Sequence, residues 1–250
     1  MRLLHQALYD HFRERAQNVR VECLTVGLSY SAVITDDGGM GLAYTYTHNN
    51  TCCSMRGGYQ DYEGKPAVEL LADIRNPDPL RRSMALALVN ALNYERARSC
   101  PEDPTDSAWM DSLEIGRGTR VAMVGFFRPL MHAFSERGAE VQALDEFQGI
   151  GEKDGFYGKL GDWAEVLLLT STSILNDSTE EILEHISPKV KVMMIGPSTP
   201  LAPEAFRHLP VRILAGTLPV DKDRVLKAVR HGVGTPVIHR FSRKVTMDLA

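Results

Sequence analysis

Apolar residues recur along this chain with two different rhythms, and the change between them falls near its middle. In residues 2–17 the apolar positions Leu4, Leu8, Phe12 and Ala16 repeat every fourth residue, which predicts a helix with one buried face. Residues 19–28 and 31–35 are short apolar runs joined by a turn, and Gly38-Gly39 closes a hairpin into residues 41–47, where apolar and polar positions alternate. Helical spacing returns over 66–75 and 78–94. A small antiparallel sheet followed by helices is an α+β arrangement.

The segment 99–118 interrupts this pattern with two prolines, two glycines and several acids, and is the expected boundary between two domains, 1–100 and 101–250. Beyond it, unalternated apolar runs recur at 121–124, 141–144, 166–169, 190–195 and 211–214, about 20–25 residues apart, with helical stretches between them. That is the rhythm of successive βαβ units. Strands without polar alternation are covered on both faces, so the second half is expected to be a Rossmann-like, doubly wound parallel sheet. Ser178 with Glu181 has the form of a capping box. Asp221 and Gly232 mark the two ends of a helix reaching to about His231.

Composition narrows the function classes. A formal net charge of −4 argues against a general nucleic-acid binder, which concentrates basic residues on one face. No apolar run approaches the roughly 20 residues needed to cross a bilayer, and the charged N-terminus lacks the apolar centre of a signal peptide, so a cytoplasmic location is expected. A homodimer is the default expectation if the protein oligomerises. The four cysteines are expected to be reduced, and Cys23, within an apolar run, to be a small core residue.

In a parallel sheet, ligands collect outside the carboxyl ends of the strands. Five segments qualify here. The first is Gly125-Phe126-Phe127-Arg128-Pro129, which lacks the G-x-G-x-x-G pattern of close pyrophosphate binding. Asp145 follows Gly125 by 20 residues, where an acid can bond ribose hydroxyls or merely face solvent. Thr170, Ser171 and Thr172 lead towards Asn176, hydroxyls and an amide suited to hydrogen-bonding a ligand or to forming turns. Gly196, Pro197, Ser198 and Thr199 make a stiff loop, and Gly216-Thr217-Leu218-Pro219 runs to Asp221. The glycine-rich segment 148–162 is either a surface connection or a lid over the strand ends. His48, Cys52 and Cys53 offer imidazole and thiolate to a transition or heavy metal ion, although adjacent cysteines are ill-suited to one tetrahedral structural site.

The runs GLAYTYT, LVNALN, DWAEVLLLTSTSILNDSTEEIL and GPSTPLAPEAF resemble a bacterial and archaeal family described as "putative heavy-metal chelation" proteins. The resemblance implies an enolase N-terminal-like domain joined to a Rossmann-like domain, with a site in the cleft between them. It carries over to Asn90, Thr170, Asn176, Gly196, Pro197, Ser198 and Thr199, with a glycine expected where this chain has Ser171. The resulting expectation is a small-ligand protein binding a metal or an organic metal complex. The alternative is an enzyme using a nucleoside-containing cofactor at the strand ends.

Overall fold

The computed structural model describes residues 3–47 and 59–249, so His48, Cys52 and Cys53 lie outside the described residues. Helix α1 (Leu3–Gln17) buries Leu4, Leu8, Phe12 and Ala16, the stripe read from their spacing. Strands β1 (Val21–Val26), β2 (Tyr30–Thr35) and β3 (Met40–Tyr44) form an antiparallel sheet in that order. Helices α2 (Ala67–Leu71) and α3 (Pro79–Leu92) follow, the second started by Asp78, whose carboxylate accepts from Leu80 N with Pro79 in the first turn. Gly41 lets α3 lie directly on β3, since a side chain there would come within 2.2 Å of the helix backbone at Ala87 and Ala91. Short helices α4 (Tyr94–Ser99) and α5 (Ser107–Ser112) lead into the second lobe.

That lobe is a six-stranded sheet built from β4 (Arg120–Val124), β5 (Glu140–Leu144), β6 (Val166–Thr170), β7 (Lys191–Ile195), β8 (Val211–Pro219) and β9 (Ser242–Asp248). Their order across the sheet is β5-β4-β6-β7-β8-β9, parallel from β5 to β8. The connecting helices are α6 (Arg128–Arg137), α7 (Lys153–Asp162), α8 (Thr179–Glu184), α9 (Pro203–Phe206), α10 (Lys222–Arg230) and α11 (Thr235–Ile238). Alternate strand residues face opposite ways, and both faces are covered. Val121, Met123, Leu168 and Met193 pack with Trp109 of α5 and Phe134 of α6. Ala122, Leu167, Val192 and Leu214 pack with Phe156 of α7, Ile182 of α8 and Phe206 of α9, in one cluster that continues into the first lobe. This double coverage is why the strands carry no polar alternation.

Four features differ from expectation. Residues 153–162 form helix α7 despite their glycines, because Phe156 and Leu160, one turn apart, are buried against the sheet. Each helical glycine costs about 1 kcal/mol relative to alanine, and burial of two large side chains outweighs that. Strand β9 was not anticipated; it returns antiparallel along β8, and the chain at 101–103 pairs with its other edge through Asp103 N to Lys244 O and Thr246 N to Pro101 O. Ser178 makes no capping bond: its hydroxyl donates to Asn176 Oδ1, while Glu181 is drawn to Lys153 Nζ of α7 at 2.9 Å. Cys23 is half-buried on β1, the outer strand of the small sheet, rather than in the core.

Candidate functional site

The chain direction across the large sheet reverses between β4 and β6. From β4 the chain passes to β5 on one side, and from β6 onward it steps to the other. Loops leaving neighbouring strands diverge at such a point and create a crevice at the carboxyl edge. The first lobe lies across that edge and bonds its loops. Tyr44 N donates to Ser198 Oγ at 2.8 Å and Asn90 Nδ2 to Ser198 O at 3.2 Å. Asn93 Nδ2 donates to Leu201 O, and Tyr94 Oη to Pro219 O.

An open cavity of about 490 Å³ lies between the two. Phe126, Phe127 and Arg128 reach it from the end of β4, Thr170, Ser171 and Thr172 from the end of β6, and Gly196, Pro197 and Ser198 from the end of β7. The first lobe contributes Tyr30 and Tyr44. The remaining wall includes Ala215, Gly216 and Thr217 of β8, Thr235 of α11, His239, Lys244 and Thr246 of β9 and Asp106. Ser171 begins a 3-10 turn with ordinary negative φ, so the glycine expected by resemblance is not needed there. Glycine is needed opposite, at Gly196: its φ is +130°, and a side chain would come within 2.9 Å of Ser171 Oγ.

Polar groups on the far wall are paired among themselves. Tyr30 Oη bonds Thr235 Oγ1 at 2.6 Å, and burial pushes the phenol up to about 12. His239 Nε2 bonds Thr217 Oγ1 at 3.1 Å. Burial, followed by the positive charge of Lys244, lowers the pKa of His239, which keeps the imidazole neutral at neutral pH. Lys244 forms an ion pair with Asp106, a residue held at φ 61° whose other carboxylate oxygen accepts from Trp109 Nε1.

Other expected site residues sit elsewhere. Asn90 and Thr199 line a neighbouring, much smaller cleft. The carboxylate of Asp145 accepts from Phe126 N, Gln148 N and Gln148 Nε2, closing the turn after β5, and Asp145 is not among the cavity's lining residues. Asp221 caps α10 by accepting from Arg224 N. Asn176 lies beyond the far end of the turn after β6, bonded to Ser178 and to the Tyr46 phenol of the first lobe. Beside it, Arg82 of α3 donates to Leu175 O at 2.7 Å and His5 Nε2 meets Ile174 O at 2.7 Å. Tyr30, Tyr44, Asp106, Thr235, His239 and Lys244 reach the cavity without having been singled out as candidates. A polar–apolar alternation from Lys244 to Asp248 was an available signal, and it marks the strand carrying Lys244.

A family profile described as "Putative heavy-metal chelation" matches residues 108–248, and a second with the same description matches residues 9–93. An uncharacterized protein of Methanocaldococcus jannaschii is 23% identical over 249 residues, covering 94% of this chain and 93% of its own. Two crystal structures of proteins of unknown function from the DUF364 family share the fold. The one from Desulfitobacterium hafniense has a TM-score of 0.77 at 20% identity, covering 98% of this chain and 97% of its own. The one from Pyrococcus horikoshii has a TM-score of 0.81 at 16% identity, covering 98% and 99%.

Proposed function

The chain belongs to the DUF364 family, described as "Putative heavy-metal chelation", and on that premise we propose that it binds a small organic ligand, or a metal carried in one, in the cavity between its two lobes. The observation that carries this reading is the convergence of loops from neighbouring strand ends and two first-lobe tyrosines on one cavity of about 490 Å³. That volume lies inside the roughly 300–1,000 Å³ of small-molecule sites, and an apolar wall with a few fixed polar groups is their usual make-up.

The donor set argues against a bare heavy-metal ion at this position. Such ions favour thiolate and imidazole. Among the described residues the wall offers one imidazole, His239, already bonded to Thr217, and one carboxylate, Asp106, already paired with Lys244. The hydroxyls, aromatic rings and aliphatic side chains of the wall suit the organic shell of a complex better than the metal inside it. Direct ligation by His48, Cys52 and Cys53 stays a separate proposal resting on their side-chain chemistry. The nucleoside-cofactor alternative has less support, since the carboxylate assigned to a ribose is engaged in its own turn.

Native mass spectrometry of the untagged chain, exposed to a bacterial metabolite extract without chelator, is expected to show a non-covalent adduct of small-molecule mass. Ala215→Phe, which pushes a ring into the cavity from β8, should remove it while the fold persists. No adduct on the unaltered chain, or an adduct that survives Ala215→Phe, would refute the cavity as the site.

A further inference from the structure

Two serines on the cavity wall are buried without using their full hydrogen-bonding capacity inside the protein. Ser171 is 1% exposed, and its hydroxyl engages no group among the described residues. Ser198 is equally buried; its oxygen accepts from Tyr44 N, while its own O–H has no acceptor among the described residues. Both hydroxyls border the cavity, so their unused capacity is open to whatever occupies it. Elsewhere on the wall Tyr30 is matched with Thr235, Thr170 with Thr172, His239 with Thr217 and Lys244 with Asp106.

The surroundings of the two serines favour negative charge. Strands β4 and β6 are neighbours, so α6, which starts at Arg128 directly after β4, begins next to the turn that carries Ser171. This helix is ten residues long, no side chain caps its start, and Phe127, Arg128 and Leu130 of its first turn line the cavity. A helix N-terminus carries a partial positive charge, and that charge is what the start of α6 adds, since Pro129 has no N–H and Leu130 N and Met131 N donate to Phe127 O. Charged side chains on the wall are Arg128 and Lys244 against Asp106, and the last two cancel. Arg128 is left as the uncompensated charge, on a chain whose formal net charge is −4.

We infer that the ligand of this cavity carries an anionic oxygen group, a carboxylate or a phosphate, received by the hydroxyls of Ser171 and Ser198 beside Arg128 and the first turn of α6. Such a group is a strong hydrogen-bond acceptor, and this corner of the cavity offers it donors, the two serine hydroxyls and the Arg128 guanidinium. The inference rests on the proposed ligand-binding role of the cavity and names the class of ligand it takes.

The full chain, titrated with inorganic phosphate and separately with acetate at ionic strength held constant by sodium chloride, can be followed through its amide resonances. Saturable shifts are expected at Ser171, Ser198 and Arg128, with the anion that saturates first naming the group. Ser171→Ala should weaken that binding about ten-fold, the scale of one lost hydrogen bond to a charge, at an unchanged melting temperature because the hydroxyl has no protein partner. Shifts that never saturate, or an affinity that Ser171→Ala leaves as it was, overturn the inference. If the adduct sensitive to Ala215→Phe is nevertheless present, the ligand-binding reading stands and the ligand is neutral or cationic.

Discussion

The run from Thr170 to Ser178 is rich in hydroxyl, amide and carboxylate groups, yet its two ends live in different surroundings. At one end Thr170, Ser171 and Thr172 line the cavity, and the Ser171 hydroxyl has no partner among the described residues. At the other, the chain is held by the first lobe: Arg82 grips Leu175 O, His5 grips Ile174 O, and Tyr46, its ring 5.5 Å from that of Phe147, bonds Asn176. Thr170 and Thr172 bond each other at 3.0 Å, so what sets the cavity end apart is one hydroxyl, that of Ser171, left open beside residues of the same type whose hydrogen bonds are closed within the protein. What separates a structural clasp from a binding wall is whether those bonds are satisfied.

Arg82→Ala should show the largest effect on the clasp. The guanidinium is buried and donates to both Leu175 O and Asn76 O at 2.7 and 2.9 Å, so its loss strands two carbonyls. Hydrogen bonds to charged groups are worth about 1.5–3 kcal/mol, which predicts a loss of ~3 kcal/mol and a melting temperature lower by about 6–12 °C. Calorimetry measures it. A drop of under 2 °C would mean that the clasp contributes little and that the contrast between the two ends is one of appearance.

His5 gives the clasp a pH dependence. Its Nε2 meets a carbonyl oxygen, which can only accept, so Nε2 carries the hydrogen and the neutral ring turns its Nδ1 lone pair towards Asp177 Oδ1, 3.6 Å away. Burial lowers the pKa below the ordinary 6.5, the carbonyl bond opposing it, the Arg82 charge adding to it, and Asp177 and Glu180 opposing it again. The unfolded chain then takes up this proton at a higher pH than the folded one. The stability contributed is present above pH 6.5 and is lost as pH falls from 6.5 towards the lowered folded value. Melting temperature measured from pH 7.5 to 5.5 should fall, and His5→Gln, whose amide can still donate to Ile174 O, should flatten the curve. Equal slopes for the two proteins would show that the ring titrates as it does in water.

Asn176→Ala should be the mildest change. It removes the partner of Ser178 and Tyr46, about 0.5–1.5 kcal/mol, or a few degrees of melting temperature. It should also leave the affinity for any cavity ligand unchanged, because Asn176 is not part of the cavity wall. A several-fold loss of affinity would erase the distinction between the two ends and restore Asn176 to the binding residues.

Much of the architecture is written locally. The four-residue stripe of α1, the unalternated strands, Asp221 at the start of α10 and Gly232 after its end are set by near neighbours in the chain, where sterics and hydrogen bonding act over one or two turns. The same local reading places Thr170 and Ser198 at strand ends, and the rule for parallel sheets brings those ends to one edge. Local spacing misled where burial outweighed it, as in α7, where Phe156 and Leu160 hold a glycine-rich segment helical. It also could not say which way a side chain leaves a turn, and so could not separate Ser171 from Asn176. The far wall of the cavity was set by tertiary structure alone: Tyr30 meets Thr235 across 205 positions, and Lys244 meets Asp106 across 138. No periodicity of the chain encodes such pairs, because they form only once β9 has folded back along β8 and the first lobe has closed over the strand ends.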